Sequence, residues 1–336
     1  MSLAGNKPNV LVTGACGYIG SHVARMLSER DYQVIVVDNL STGFRDALVH
    51  NETFYQGDVG DTGLMKQVLS KHKIAAIIHF AAAIRVDESV SKPEKYYNNN
   101  TVNTLRLVTT ACELGVKNII FSSTAAAYGQ PRVVPVDESA PTAPESPYGW
   151  SKLMSEQMLR DMSHAHGLRN VILRYFNVAG ADPELRMGQR TPEASHLIKV
   201  ACEVAVGKRE RLKVFGTDYP TADGTCVRDY IHIEDLASAH ILALEHLLRG
   251  GDSQLLNCGY GHGSSVLDVV AAVKRVSGKN FPVDLAPRRP GDVASIVADA
   301  GKIRRLLSWQ PRYDNLDTIV KHAYEWERKL SGKVNA

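Results

Sequence analysis

The sequence predicts an α/β fold: a doubly wound parallel sheet, followed in the chain by a smaller mixed α/β domain. Three observations carry this. Short β-branched runs alternate with longer amphipathic stretches through the first half of the chain. A glycine trio, Gly14, Gly17 and Gly20 in "TGACGYIG", stands between the first strand and the first helix. Past residue 180 the elements shorten and are broken by Gly and Pro.

Taken in order, "NVLVT" (9–13) reads as a buried strand, and a helix follows from about Tyr18 to Arg30. "QVIVVD" (33–38) and "TFYQGD" (53–58) are strands. "LMKQVLSKH" (64–72) is helical and "AAIIHF" (75–80) a strand. Residues 95–115 have apolar positions at helical spacing and end at a Gly, before the strand "NIIFSS" (118–123). Such alternation gives a parallel sheet covered on both faces. Residues 128–147 form a Pro-rich loop long enough to carry function. Pro147 suits the first turn of a helix running to about His166, and "NVILRYFN" (170–177) is the next strand. The expected division is residues 1–177 in the first domain, with a segment near 228–250 returning to it, and residues 178–336 mostly in the second.

Composition removes several classes. The net charge is only +3 with basic residues spread along 336 positions, so neither a nucleic-acid stripe nor a membrane patch is present. The longest apolar stretch, residues 74–84, is shorter than the ~20 residues a membrane helix needs. "MSLAGNKPN" has no apolar h-region, so no secretory signal is expected. Cys16, Cys112, Cys202, Cys226 and Cys258 lie far apart without a CxxC, which argues against a metal site and fits reduced thiols in a cytoplasmic protein.

The glycine trio points to a dinucleotide. Gly14 permits a tight turn, Gly17 lets backbone approach a pyrophosphate, and Gly20 lets helix and strand pack closely, while the helix start offers N–H donors and positive dipole. Asp38, about 20 residues on, is placed to accept from adenosine ribose hydroxyls, which favours NAD over NADP. Arg45 nearby weakens that preference slightly. Asp58 ends another strand; it reads equally as an adenine reader or as a turn-forming Asp. Tyr148 and Lys152 share a helix face at i,i+4. Alone, such a pair is usually an amphipathic surface. Behind a strand–glycine–helix unit it reads as a phenol beside an ammonium, a general base for a hydroxyl proton.

GxxGxxG and Tyr-xxx-Lys in this order resemble the extended short-chain dehydrogenase/reductase superfamily, whose first domain is Rossmann-type. More narrowly, the chain resembles UDP-glucose (UDP-galactose) 4-epimerases. The likeness rests on "LVTGACGYIGSH", "VVDNLSTG", "IIHFAA", "ESVSKPEKYYNNN", "FSSTAAAYG", "SPYGWSKLMSE", "LRYFNVAGADP", "FGTDYPTADGTCVRDYIHIEDLA" and "APRRPGDVASIVAD", from about residue 9 to 325. The resemblance implies Tyr148 as base, Lys152 as the residue that lowers its pKa and holds the nicotinamide ribose, and Thr124 as a hydroxyl relay. It places NAD against Gly14, Gly17, Tyr18, Ile19, Gly20, Asp38, Asn39, Asp58, Val59, Phe80, Ala81, Asn99, Ser122 and Tyr175. It places a UDP-sugar against Thr124, Asn177, His196, Leu197, Phe215, Arg228, Tyr230, Arg289, Asp292 and Ile296. It also implies a homodimer through the helices at 95–115 and 148–166.

The implied reaction is redox-neutral interconversion of UDP-glucose and UDP-galactose through a 4-keto sugar. A 4,6-dehydratase would need an Asp-Glu pair before "YG", where this chain has Ala125, Ala126 and Ala127. Other UDP-sugars stay open: N-acetylhexosamine, since Ile296 is intermediate in size at a gatekeeping position, and xylose/arabinose or glucuronate. Ile84 stands where some relatives have a cofactor-side Lys, with Arg85 following. The alternative of another class is a non-catalytic NAD-binding sensor, which would not need Tyr148, Lys152 and Thr124 together.

Overall fold

The computed structural model describes residues 8–191, 194–289 and 291–332. Its main sheet has seven strands in the order Gln254–Cys258, Arg169–Tyr175, Asn118–Thr124, Ala76–His79, Asn9–Thr13, Gln33–Asp38 and Thr53–Gln56. Asn9–Thr13 pairs in parallel with both Gln33–Asp38 and Ala76–His79, so the strand order reverses beside the first strand. A reversal of this kind opens a crevice at the carboxyl ends of the strands. This is the Rossmann-type, doubly wound sheet the alternation predicts.

The central strands are mostly apolar because both of their faces are covered. Leu11, Ile35, Val37, Ile77, Ile119, Phe121 and Ile172 pack in one core with Met65, Val68, Leu107, Ala111 and Leu159 from the helices. The alternate positions Val10, Val12, Val36 and Ile78 are equally buried. Full burial of such a side chain stabilises by about 1.5–3 kcal/mol, which fixes strand register more firmly than backbone preference does.

The chain divides into two compact units: residues 1–127, 144–174 and 237–256 in the first, and 128–143, 175–236 and 257–336 in the second. Three boundaries differ from the sequence-based expectation, one being that the first unit's segment 144–174 ends at residue 174 and not at 177. The Pro-rich segment 128–143 packs in the second unit, where Val136 N donates to Val297 O at 2.8 Å and Tyr128 Oη donates to Asn257 Oδ1 at 2.7 Å. The returning segment is 237–256 rather than 228–250. Residues 228–236 pair locally instead, with Tyr230–His232 running parallel to Asn177–Ala179.

The expected single helix at 95–115 is three pieces: Pro93–Tyr96, a π-helical turn Tyr97–Val102, and Asn103–Glu113. Such turns insert a residue into a helix and often occur at functional sites. Short side pieces, Val86–Ser91 and the 3₁₀ turn Arg45–Ala47, have no counterpart in the sequence-based reading.

Glycine geometry limits the first crossover. A Cβ on Gly20 would lie 2.3 Å from Gly14 O. Gly20→Ala is therefore expected to cost about 2 kcal/mol or more, the size typical of a core steric clash. A denaturant midpoint equal to that of the wild type would show that this helix can shift without penalty.

Candidate active site

The first site element is the turn between Asn9–Thr13 and the helix Tyr18–Ser28. Gly14 has φ +71°, and a Cβ there would stand 2.6 Å from Ala81 N. The turn is thus pressed against Phe80 and Ala81, whose strand-end backbone joins it through Phe80 N to Thr13 O at 3.0 Å. Gly17 caps the helix without any side chain, and no acidic residue stands in its first turn, where Tyr18, Ile19 and Gly20 lie. An uncapped helix start of this kind holds N–H groups and positive dipole for an anion. The residues present fit a dinucleotide pyrophosphate.

Asp38 and Asp58 sit at the next two strand ends. Asp38 is buried; its Oδ2 accepts from Cys16 N at 2.9 Å and its Oδ1 from Leu40 N at 2.8 Å. It therefore braces the glycine turn while retaining acceptor capacity for a hydroxyl. Asp58 Oδ1 accepts from Gly60 N at 2.8 Å and from Asn103 Nδ2 at 2.9 Å, and Asp58 Oδ2 from Asn39 Nδ2 at 3.1 Å. It is a turn-forming Asp, and it also ties Asn39 to the helix after the π turn. Val59 beside it is buried. Arg45 lies with its guanidinium 4.5 Å from the centre of the Phe54 ring.

Tyr148, Lys152 and Thr124 are brought together. The helix Pro147–His166 begins with Ser146 as N-cap, its Oγ accepting from Gly149 N at 3.2 Å, and with Pro147 in the first turn. Gly149 lets that start meet the 3₁₀ turn Ala125–Ala127, since a Cβ would lie 2.8 Å from Ala126 O. Tyr148 and Thr124 are both buried, and the Thr124 hydroxyl is near enough to lower the Tyr148 pKa. Thr124 Oγ1 accepts from Ala126 N at 3.1 Å, which fixes the hydroxyl. Lys152, only 3% exposed, donates from Nζ to Ser122 O at 2.9 Å and lies 5.0 Å from the Phe121 ring centre.

Burial governs both groups. In the protein alone it raises the Tyr148 phenol above its ordinary value, and the opposing influence is the Thr124 hydroxyl. Burial also pushes Lys152 down to about 7, with Glu156 pulling it back up. Both buried groups are thus driven toward neutrality. A lysine near neutrality carries only part of the charge the phenolate would need.

Asn99 donates from Nδ2 to Asn100 Oδ1 at 3.1 Å within the π turn. Sequence reasoning missed Asn100, which is buried and bonds Ala83 N at 2.8 Å, Ala83 O at 2.9 Å and Ser151 Oγ at 3.0 Å. It ties the loop after Phe80 to the helix that carries Tyr148. Also missed was His79, held between Thr13 Oγ1 at 2.7 Å and Thr104 Oγ1 at 2.9 Å. Arg85, beside Ile84 at the place of a cofactor-side Lys, is paired with Asp87 at 2.8 Å. Tyr175 closes its strand next to Phe176.

The second unit groups the remaining residues by itself. Asn177, His196, Leu197 and Tyr230 line one pocket with Lys199 and Trp326. Burial lowers the His196 pKa, and its Nδ1 meets Gln189 Nε2 at 3.0 Å. Phe215, Arg228, Arg289 and Asp292 form a second group. The Arg289 guanidinium lies 4.8 Å from the Phe215 ring centre and bonds Asp292 Oδ2 at 2.9 Å, and Arg228 approaches Asp292 to 3.9 Å. Ile296 pairs with Arg228 in a parallel bridge and is buried. Asp229, also missed, clamps this region by accepting from Tyr260 N, Gly261 N and Ala298 N at 2.9–3.2 Å.

A family model described as the NAD dependent epimerase/dehydratase family matches residues 10–259. The UDP-glucose 4-epimerase of Azospirillum brasilense is 54% identical over 328 residues, covering 98% of this chain and 94% of that protein. The crystal structure of UDP-glucose 4-epimerase from Brucella ovis in complex with NAD is 42% identical, with a TM-score of 0.92 over 95% of this chain and 98% of that one. The UDP-Glc/GlcNAc 4-epimerase from Campylobacter jejuni is 50% identical, with a TM-score of 0.84 over 96% and 99% of the two chains.

Burial of Lys152 has a measurable sign. Its folded pKa of about 7 lies below the 10.5 of a free lysine, so the unfolded chain binds the extra proton between those values. The stability contributed by Lys152 is full above about 10.5 and is lost as the pH falls toward about 7. Wild type should therefore gain on Lys152→Met as the pH rises through that window in denaturant unfolding. A constant difference would mean that the amine is solvated.

Proposed function

The chain belongs to the NAD dependent epimerase/dehydratase family, and from that premise we propose that it is an NAD-dependent isomerase interconverting UDP-glucose and UDP-galactose. The observation that carries this is the buried pair Tyr148 and Thr124, with Lys152, also buried, one helical turn from Tyr148. Bound NAD supplies the acceptor and later the donor of the sugar's C4 hydride.

The chain's own residues do the rest. Thr124 receives the 4′-hydroxyl proton of the sugar and passes it to the Tyr148 oxygen. Lys152 stabilises the phenolate that Tyr148 must present. Asp38 binds the adenosine ribose, and the start of the helix Tyr18–Ser28 binds the pyrophosphate. Phe80, Ala81, Asn99, Ser122 and Tyr175 line the rest of the cofactor. Arg228 and Arg289 grip the UDP diphosphate, with Phe215 and Asp292 holding Arg289 in place. Asn177, His196, Leu197 and Tyr230 take the remainder of the nucleotide. A substrate gripped by its UDP handle leaves the 4-keto hexose free to turn and accept hydride on its other face.

The turn Ala125–Ala127 offers no acid or base, so elimination of water is disfavoured. UDP-N-acetylhexosamine is the second reading. Its support is the 50% identity to an epimerase described as acting on both UDP-Glc and GlcNAc, together with the aliphatic Ile296. We further propose a cytoplasmic homodimer. Val102, Leu105, Trp150 and Met154 are each 37–43% exposed on the two helices expected to pair with their copies.

Incubated with UDP-galactose and no added cofactor, the purified protein should yield UDP-glucose. Tyr148→Phe is expected to lose activity by about a thousandfold, the middle of the range for removing a general base, while keeping its fold and NAD. Turnover retained in that variant would remove Tyr148 from its role. Bound NAD with no turnover of any UDP-sugar would favour a sensor.

A further inference from the structure

Two consecutive residues of the strand Asn118–Thr124 are tied to two successive turns of the helix Pro147–His166. Ser122 O accepts from Lys152 Nζ at 2.9 Å, and Ser123 Oγ donates to Glu156 Oε1 at 2.5 Å. Tyr148, Lys152 and Glu156 recur every four residues and so form one column on the helix. The proposed reaction uses the first two and leaves Glu156 without a role. Glu156 is nevertheless fully buried, at 0% exposure. It accepts from Arg174 Nε at 2.9 Å and Arg174 Nη2 at 2.6 Å, and Arg160 Nη2 lies 3.7 Å away. A buried ion pair seldom adds stability over an apolar pair of the same volume. Stability therefore does not explain a carboxylate at this depth.

We propose that Glu156 is a positioning residue of the reaction, whose carboxylate, one turn beyond Lys152, keeps that buried amine protonated and aligned with Tyr148. The inference rests on the reading of Tyr148 as the base. Burial alone drives Lys152 toward the neutral amine, and Glu156 is the charge that opposes it. The other groups around Lys152 do not supply that charge. From the strand Ala76–His79 comes His79, buried and held neutral by burial and by Lys152 itself. The strand Asn118–Thr124 offers the Ser122 carbonyl and the Phe121 ring face. The strand Arg169–Tyr175 offers Arg174, which is cationic and bound to Glu156. On the same helix stands Tyr148, the proton acceptor. Arg174 thus keeps the carboxylate ionised at depth, and the carboxylate keeps the ammonium ionised one turn nearer the chemistry.

The test reads the Lys152 amine directly. Protein labelled with ¹³C at the lysine ε-carbon is titrated, the Lys152 resonance being assigned by its loss in Lys152→Met. Wild type should titrate at about 7. Glu156→Gln should titrate at least about one pH unit lower, a tenfold loss of proton affinity. Its kcat with UDP-galactose should fall about tenfold near neutrality with KM within about twofold. Glu156→Asp, which keeps the charge, should restore most of the titration. If Glu156→Gln does not fold, Glu156→Gln/Arg174→Met removes both ions and should show the same downward shift. An unmoved Lys152 titration in a folded variant would overturn the proposal. A shifted titration in a protein that turns over no UDP-sugar would uphold the charge relation and sink the proposed function instead.

Discussion

Lys152 is carried into the interior by the helix Pro147–His166, and much of the surrounding structure answers that burial. An ammonium taken out of water loses several kcal/mol of hydration unless other groups replace it. Here the replacements are the Ser122 carbonyl, the face of Phe121 and the carboxylate of Glu156. The first two require the helix to lie close against the strand Asn118–Thr124, every residue of which is buried. That closeness depends in turn on Gly149, the residue at which no side chain fits above Ala126. A missing methyl group at one position is thus part of what keeps an amine and a phenol in the same dry environment.

In the proposed function the two units hold phosphate by different physical means. In the first, the donors are backbone N–H groups at a helix start, and the sequence records them as glycines because only glycine leaves the backbone bare. In the second, they are guanidinium groups already steadied within the protein. Arg289 rests on Phe215 and is paired with Asp292. An arginine held this way has less side-chain freedom to lose when an anion arrives.

The strands and the glycine turn were legible in the sequence because their signals are local: short β-branched runs between helical stretches, and glycines at a strand–helix junction. Asn9–Thr13, Gln33–Asp38 and Pro147–His166 have the bounds that their own residues predict. Tyr148 and Lys152 were legible as residue types at a spacing, and Thr124 through the resemblance, but the direction of the Tyr148 shift was not legible, since burial is a property of everything around it. Glu156 and Asn100 were illegible for the same reason. Glu156 in "KLMSEQ" reads as an ordinary helix-face acid until Arg174, 18 residues on, is placed against it. Asn100 is one of three asparagines in a row, and only the loop at Ala83 and Ser151 distinguishes it from its neighbours. The segment 128–143 sits beside the first domain in the chain, which is all that its sequence shows, while its backbone partners are more than a hundred residues away.

The π turn at Tyr97–Val102 carries one residue more than an α-helix of the same height would. The wide turn takes up that surplus locally, so the helical pieces on its two sides keep about the phase of one continuous α-helix. A deletion that closed the turn would leave the downstream face, with Asn103 against Asp58, where it is. Its effect would fall on the turn itself, where Asn100 is bound to Ala83 and Ser151. Over evolutionary time a single-codon change of length here is thus a local event and not one that turns the whole helix.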